Sequence, residues 1–204
     1  MRDDELNHNP IRAEIRSDGS VRLTGYVNAV ERDSRPLARP GGTFIERVAA
    51  GAFKRAIERA NGNIELRYNH DRTIGRLGEN LTLKEDAIGL YADAEVYDDE
   101  VVRAAKEGRL QGWSFRFYLI EDEWSRDESG VDHRRLTDID IDEVSILDVT
   151  PAYIATSIEL RGNERTLMEE RSSAEPPEST EAEAAEIRNG MLLNEIEILK
   201  LKER

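Results

Sequence analysis

The sequence predicts an α+β fold of at least six strands and two helices in one globular domain spanning residues 11–162, and three observations predict it. Apolar residues alternate with polar ones in short runs bounded by Gly, Pro and Asp turn signals, the period of half-buried strands. Two other segments space their apolar residues three and four apart, as a helix lying on a core does. From about Glu164 the aromatic residues stop and the chain becomes acidic, with "SSAEPPESTEAEAAE" carrying the composition of a flexible linker over 163–180.

Taken in order, "IRAEIRSDGSVRLTGYVNAV" (11–30) reads as two strands around an Asp-Gly turn. In "ERDSRPLARPGGTFIERV" two prolines and a Gly-Gly pair interrupt regular structure, so a loop is expected. "GAFKRAIERA" places Phe53, Ala56 and Ile57 on one face of a short amphipathic helix starting near Gly51, with Phe53 as its anchor. Ile64, Leu66 and Tyr68 alternate in a strand that ends at "NHD", and "IGRLGENLTLKEDAIGLYADAEV" supplies two more strands around Lys-Glu-Asp. "DDEVVRAAKEGRLQ" opens with acids that suit a helix N-terminus and closes near Gly108. After the stretch "LQGWSFRFYLIEDEW", the run "HRRLTDIDIDEVSILDVTP" alternates imperfectly, which predicts a bulged or bent strand stopping at Pro151. At the C-terminus, Ala185, Asn189, Leu192, Ile196 and Leu199 form a short heptad seam, so residues 181–204 are expected to be an amphipathic, coiled-coil-like helix that either orders against a partner or stays a frayed helical tail.

Composition narrows the function. The 204 residues contain no cysteine, which excludes disulfides, thiolate catalysis and Cys-bound zinc. A net charge of -14 argues against nucleic acid, and no apolar stretch approaches the ~18 residues of a membrane span, so a soluble, intracellular chain with a protein partner is expected. "RPGGTF" lacks the lysine and helix of a phosphate loop, and "TDIDIDE" lacks the glycine turn of a calcium loop. No cofactor or metal is implied.

The histidines come next. His8 sits in a polar terminus and His133 at an apparent hairpin tip, both positions that solvent usually occupies. His70 closes a strand, where sheet proteins hold functional side chains on a rigid frame, although a satisfied, partly buried histidine would look the same. Ser114, between Trp113 and Phe115, is a nucleophile only if a base lies within about 3 Å, and is otherwise a small residue on a strand. Glu143 and Asp148 lie on the run "DEVSILDV"; turned inward, either would need a donor such as an imidazole N–H, and turned outward either is a solvated acid.

The order "GTFIERVAAGAF", "YNHD", "GWSFRF" and "DEVSILDVTPAYIAT" resembles the prohead maturation protease family of tailed bacteriophages, the HK97-type caudovirus proteases, over about residues 12–160. The resemblance implies a serine endopeptidase with a mostly antiparallel β-barrel flanked by helices, similar to the herpesvirus assemblins. Such an enzyme acts inside the immature capsid in the host cytoplasm, or in a bacterial cytoplasm when prophage-encoded. There it removes scaffold protein or the scaffold-like part of the major capsid protein and then commonly cleaves itself. Self-association is also implied, because assemblin-like enzymes can be latent until they dimerise. Carried onto this chain, Ser114 is the nucleophile, His70 the general base and Glu143 the third member, with His133 and Asp148 as alternatives for that last role. Arg116 stands where many members have glycine. A self-processing site is expected between Arg161 and Ser179. The rival reading is a catalytically silent assembly protein that works through its C-terminal helix.

Overall fold

A computed structural model describes residues 11–39 and 42–148, and the backbone of 159–160 and 167–172. Its elements are β1 (Arg12–Ile15), β2 (Val21–Ala29), β3 (Leu37–Arg39), β4 (Gly42–Val48), α1 (Ala52–Ala60), β5 (Glu65–Tyr68), β6 (Arg72–Arg76), β7 (Leu81–Glu85), β8 (Gly89–Val96), α2 (Asp99–Lys106), β9 (Gly112–Arg126), β10 (Asp132–Leu147), β11 (Glu159–Leu160) and β12 (Leu167–Ser172). The helix expected over 181–204, and His8, lie outside the described residues.

The fold is mostly β-sheet with two helices, as the patterning predicts, but the strands do not close into the expected barrel. They form a four-stranded sheet in the order β1-β2-β8-β7 and a larger sheet in which β12, β9, β10, β4 and β3 lie side by side. β5 joins the larger sheet on β10 and carries β6 on its other side. Most neighbours are antiparallel; β10 is the exception, running parallel to β4 at its start and to β5 at its end. A single strand therefore serves two parallel partners in succession, and this sets the position of the candidate site.

Two expectations needed correction. The segment read as a loop because of its Pro and Gly content contains β3 and β4, which pair with each other from Leu37–Phe44 to Arg39–Gly42. Residues 31–36, which include Pro36, do stay outside any strand, while the alternation of Phe44, Glu46 and Val48 toward the interior is that of a strand. Likewise the acidic stretch read as linker contains β12, whose backbone pairs with β9.

Packing follows the apolar pattern. Trp113, Phe115 and Phe117 of β9 and Val144 and Ile146 of β10 are fully buried with Leu66 of β5 and Phe53 of α1. Phe53 meets Phe115 edge-on at 5.4 Å, as the anchor role predicted for it requires. The start of α1 has no cap of its own; Glu85, from the end of β7, accepts from the Gly51 and Lys54 amides instead, a carboxylate placed at the positive end of the helix. In α2 the Asp98 side chain caps the Glu100 and Val101 amides.

Candidate active site

Pairing across three strands assembles one polar face. Ser145 of β10 lies opposite Ser114 of β9 on one side and Arg67 of β5 on the other. Two residues earlier, Glu143 lies opposite Arg116 and Glu65. Cross-strand partners share a face, and residues two apart along a strand share it too. Ser114, Arg116, Glu143, Ser145 and Arg67 thus point to one side of the sheet, while Trp113, Phe115, Val144 and Ile146 point into the apolar core. A bulge between Ile141 and Glu143 resets the alternation just before this face begins.

His70 reaches the face from a turn. Asn69 and His70 have φ of 52° and 59°, and the Asp71 amide donates to the Tyr68 carbonyl at 3.1 Å, so two left-handed residues reverse the chain from β5 into β6. Asn accepts that conformation readily; His70 holds it because its surroundings hold the turn. The Asn69 Nδ2 donates to the Asp148 carboxylate at 2.7 Å, and the Asn69 Oδ1 accepts from the Asp148 backbone amide at 3.0 Å. Arg67 donates to the His70 carbonyl at 3.0 Å, and Arg109 pairs with Asp148 from below α2.

The imidazole then lies against Glu143, with Nδ1 2.5 Å from Oε1. The Ser145 hydroxyl is 3.0 Å from that same oxygen and 3.2 Å from Nδ1. Arg116 donates to the other carboxylate oxygen at 2.7 Å, and Arg67 lies 3.3 Å from it. Glu143 is 1% exposed, so burial raises its carboxyl pKa, but the hydrogen bond from His70, the Arg116 charge and the Ser145 hydroxyl together hold it below the ordinary value. An ionised carboxylate only accepts, so Nδ1 donates to it and Ser145 donates as well; in the neutral imidazole this leaves the lone pair on Nε2. That is the tautomer a general base needs.

The remaining candidates fall elsewhere. Asp148 engages Asn69 and Arg109, so it secures the turn that presents His70. His133 lies at the opposite end of β10, with Nε2 3.2 Å from Asp127. Three neighbours of the site went unassigned from the sequence: Ser145 and the two arginines on Glu143, Arg67 and Arg116. Their signal was present: Ser145 is two residues from Glu143 and Arg116 two from Ser114, the spacing of a shared strand face. Among the described residues, no cluster of His, Cys, Asp and Glu could hold a metal ion.

A family model described as caudovirus prohead serine protease matches residues 9–171, most of the chain, and the chain belongs to that family. No curated protein and no solved structure matches it.

Proposed function

We propose that this member of the prohead serine protease family cuts the scaffold, or the scaffold-like part of the major capsid protein, with Ser114 as nucleophile, His70 as general base and Glu143 as the third member. The observation that carries the reading is the His70–Glu143 pair, Nδ1 to Oε1 at 2.5 Å, beside the strand face that Glu143 shares with Ser114; a neutral imidazole held there through Nδ1–H would turn a basic Nε2 to the serine. In this mechanism Nε2 accepts the Ser114 hydroxyl proton as Oγ attacks the scissile carbonyl. The imidazolium, stabilised by Glu143, returns that proton to the leaving amine; water then enters by the same route and frees the serine. Ser145 keeps the carboxylate aimed at Nδ1, and Arg116 and Arg67 balance its charge. Membership of the family supports a procapsid location for this activity, within the host cytoplasm. Among the described residues no helix is long and apolar enough to cross a membrane.

The test is co-expression with the capsid or scaffold protein, wild type against Ser114→Ala, read by intact mass. Defined cleavages made only by the wild type are expected; uncut chains in both would favour the assembly-protein reading. The same spectra report self-processing between Arg161 and Ser179, and equal full-length masses in the two samples would remove that part.

A further inference from the structure

The strand that carries Ser114 has two edges. β10 takes one of them along the whole of β9, from Gly112 opposite Leu147 to Arg126 opposite Asp132. On the other edge β12 runs antiparallel, with Met168 opposite Tyr118 and Ser172 opposite Ser114. Next to the place where β12 begins, no described strand pairs with the outer edge of β9 from Leu119 to Arg126. A second observation concerns access. Ser114 and Ser145 are 0% exposed. A peptide cannot reach a serine in that state until something beside it withdraws. Among the described strands, β10 is held by β4 and β5 as well as by β9, whereas β12 pairs with β9 and the two-residue β11.

We propose that β12 is a resident substrate-like strand. It occupies the edge of β9 that an extended substrate peptide must use, and so keeps the protease latent. Substrate enters as a strand antiparallel to β9, pairing first along Leu119–Arg126 and then displacing β12 toward Ser114. Added strands gain main-chain hydrogen bonds whatever their side chains, which suits a scaffold segment with little else in common with residues 167–172. The register also names the bond: the residue that replaces Ser172 opposite Ser114 flanks the cut. The inference rests on the assignment of Ser114 as nucleophile.

Two full-length variants test it from opposite directions, with fluorophosphonate labelling of Ser114, located by peptide mapping, as the readout. In Glu169→Pro with Glu170→Pro, one of two adjacent amides that face opposite sides of the strand must be the one donating to β9, and proline removes it. Hydrogen exchange of the amides of residues 114–118 reports release. Labelling is expected to accelerate about tenfold or more, because access scales with the fraction of molecules in which the edge is open. An added peptide of residues 163–178 is expected to slow it again. In the second variant, Tyr118→Cys with Met168→Cys places two thiols directly opposite in a chain without other cysteines. Oxidation should suppress labelling and reductant restore it. Faster exchange with unchanged labelling, or undiminished labelling of the locked form, would overturn the inference while leaving Ser114 as the nucleophile. No label at Ser114 in any form, including the reduced one, would remove that assignment and the inference with it.

Discussion

β10 carries a buried charged cluster at each end, and the two differ in what they can do. Near its start Arg134, 6% exposed, lies opposite Glu46 of β4 and Trp124 of β9, with its guanidinium 3.1 Å from Glu46 and 2.7 Å from Asp122. Near its end Glu143 is held by His70, Ser145, Arg116 and Arg67. Each cluster takes ionised groups out of water and compensates them with partners, so burial of charge alone does not distinguish a working site from a structural one. The difference is in the members. The first cluster contains only carboxylates and a guanidinium; the second adds an imidazole and lies on the same face as two hydroxyls, which can move a proton.

The comparison is tested most severely by deleting the chemistry. Ser114→Ala should lower kcat by about 10⁴-fold or more, as removal of a nucleophile does, while the melting temperature stays near that of the wild type. Next in size, Glu143→Gln should lower kcat by ~10²–10⁴-fold through loss of the carboxylate that fixes the tautomer. It should also destabilise by about 3–5 kcal/mol, because Arg116 and Arg67 lose their buried partner. Arg134→Met should cost a similar amount of stability, since it strands Glu46, yet leave kcat per folded molecule unchanged. Chemical denaturation combined with active-site titration separates the two outcomes; equal losses of kcat would erase the distinction between the clusters.

The sequence made some of this legible and hid the rest. Phe53 as helix anchor, the Asp-Gly hairpin, the bulged strand from 132 and the face shared by Glu143 and Ser145 follow from periodicity, a local property. The parallel pairing of β10 with β5 brings residues near 70 and 145 together, and nothing local encodes it. Hence His70, Ser114 and Glu143 came from the resemblance in motif order, and Ser145 was passed over although alternation put it beside Glu143. β3 and β4 were missed because Pro and Gly at one hairpin turn outweighed the strand on either side of it. The barrel failed for a related reason: strand content is written in the sequence, whereas closure depends on which edges meet.

Smaller effects sharpen the picture within the site. Ser145→Ala removes one hydrogen bond to the carboxylate, and kcat should fall about fivefold, in keeping with ~1 kcal/mol for such a bond. Acid should act through the same carboxylate. The folded pKa of Glu143 lies below its ordinary value, so its contribution to stability is present above pH ~4.3 and disappears as pH falls through the folded value. Neighbouring Asp142 opposes this, because burial raises its pKa and acidification relieves it. Unfolding curves between pH 3 and 6 should therefore show a loss in the wild type that is diminished in Glu143→Gln; parallel curves would mean that Glu143 is not ionised in the folded protein.

The smallest expected effect belongs to His133, and it bears on the third member of the triad. His133 is ten residues from Glu143 along a strand rising ~3.3 Å per residue, so it lies roughly 30 Å from the site. Its partner Asp127 closes the β9–β10 turn, accepting from the Ser129 and Val131 amides at 2.9 Å. The Ser129 hydroxyl, the Val131 amide and then His133 hold that carboxyl below its ordinary value. His133→Asn therefore removes only the last of these donors, on an exposed turn that keeps its backbone hydrogen bonds. Cleavage of the capsid or scaffold protein should stay within about twofold of the wild type, the range of surface substitutions away from a site. A loss comparable to that of Glu143→Gln would instead require the distal end of β10 to reach the chemistry, which its register with β4 and β9 forbids within one molecule, and would point to a second copy of the chain supplying the histidine.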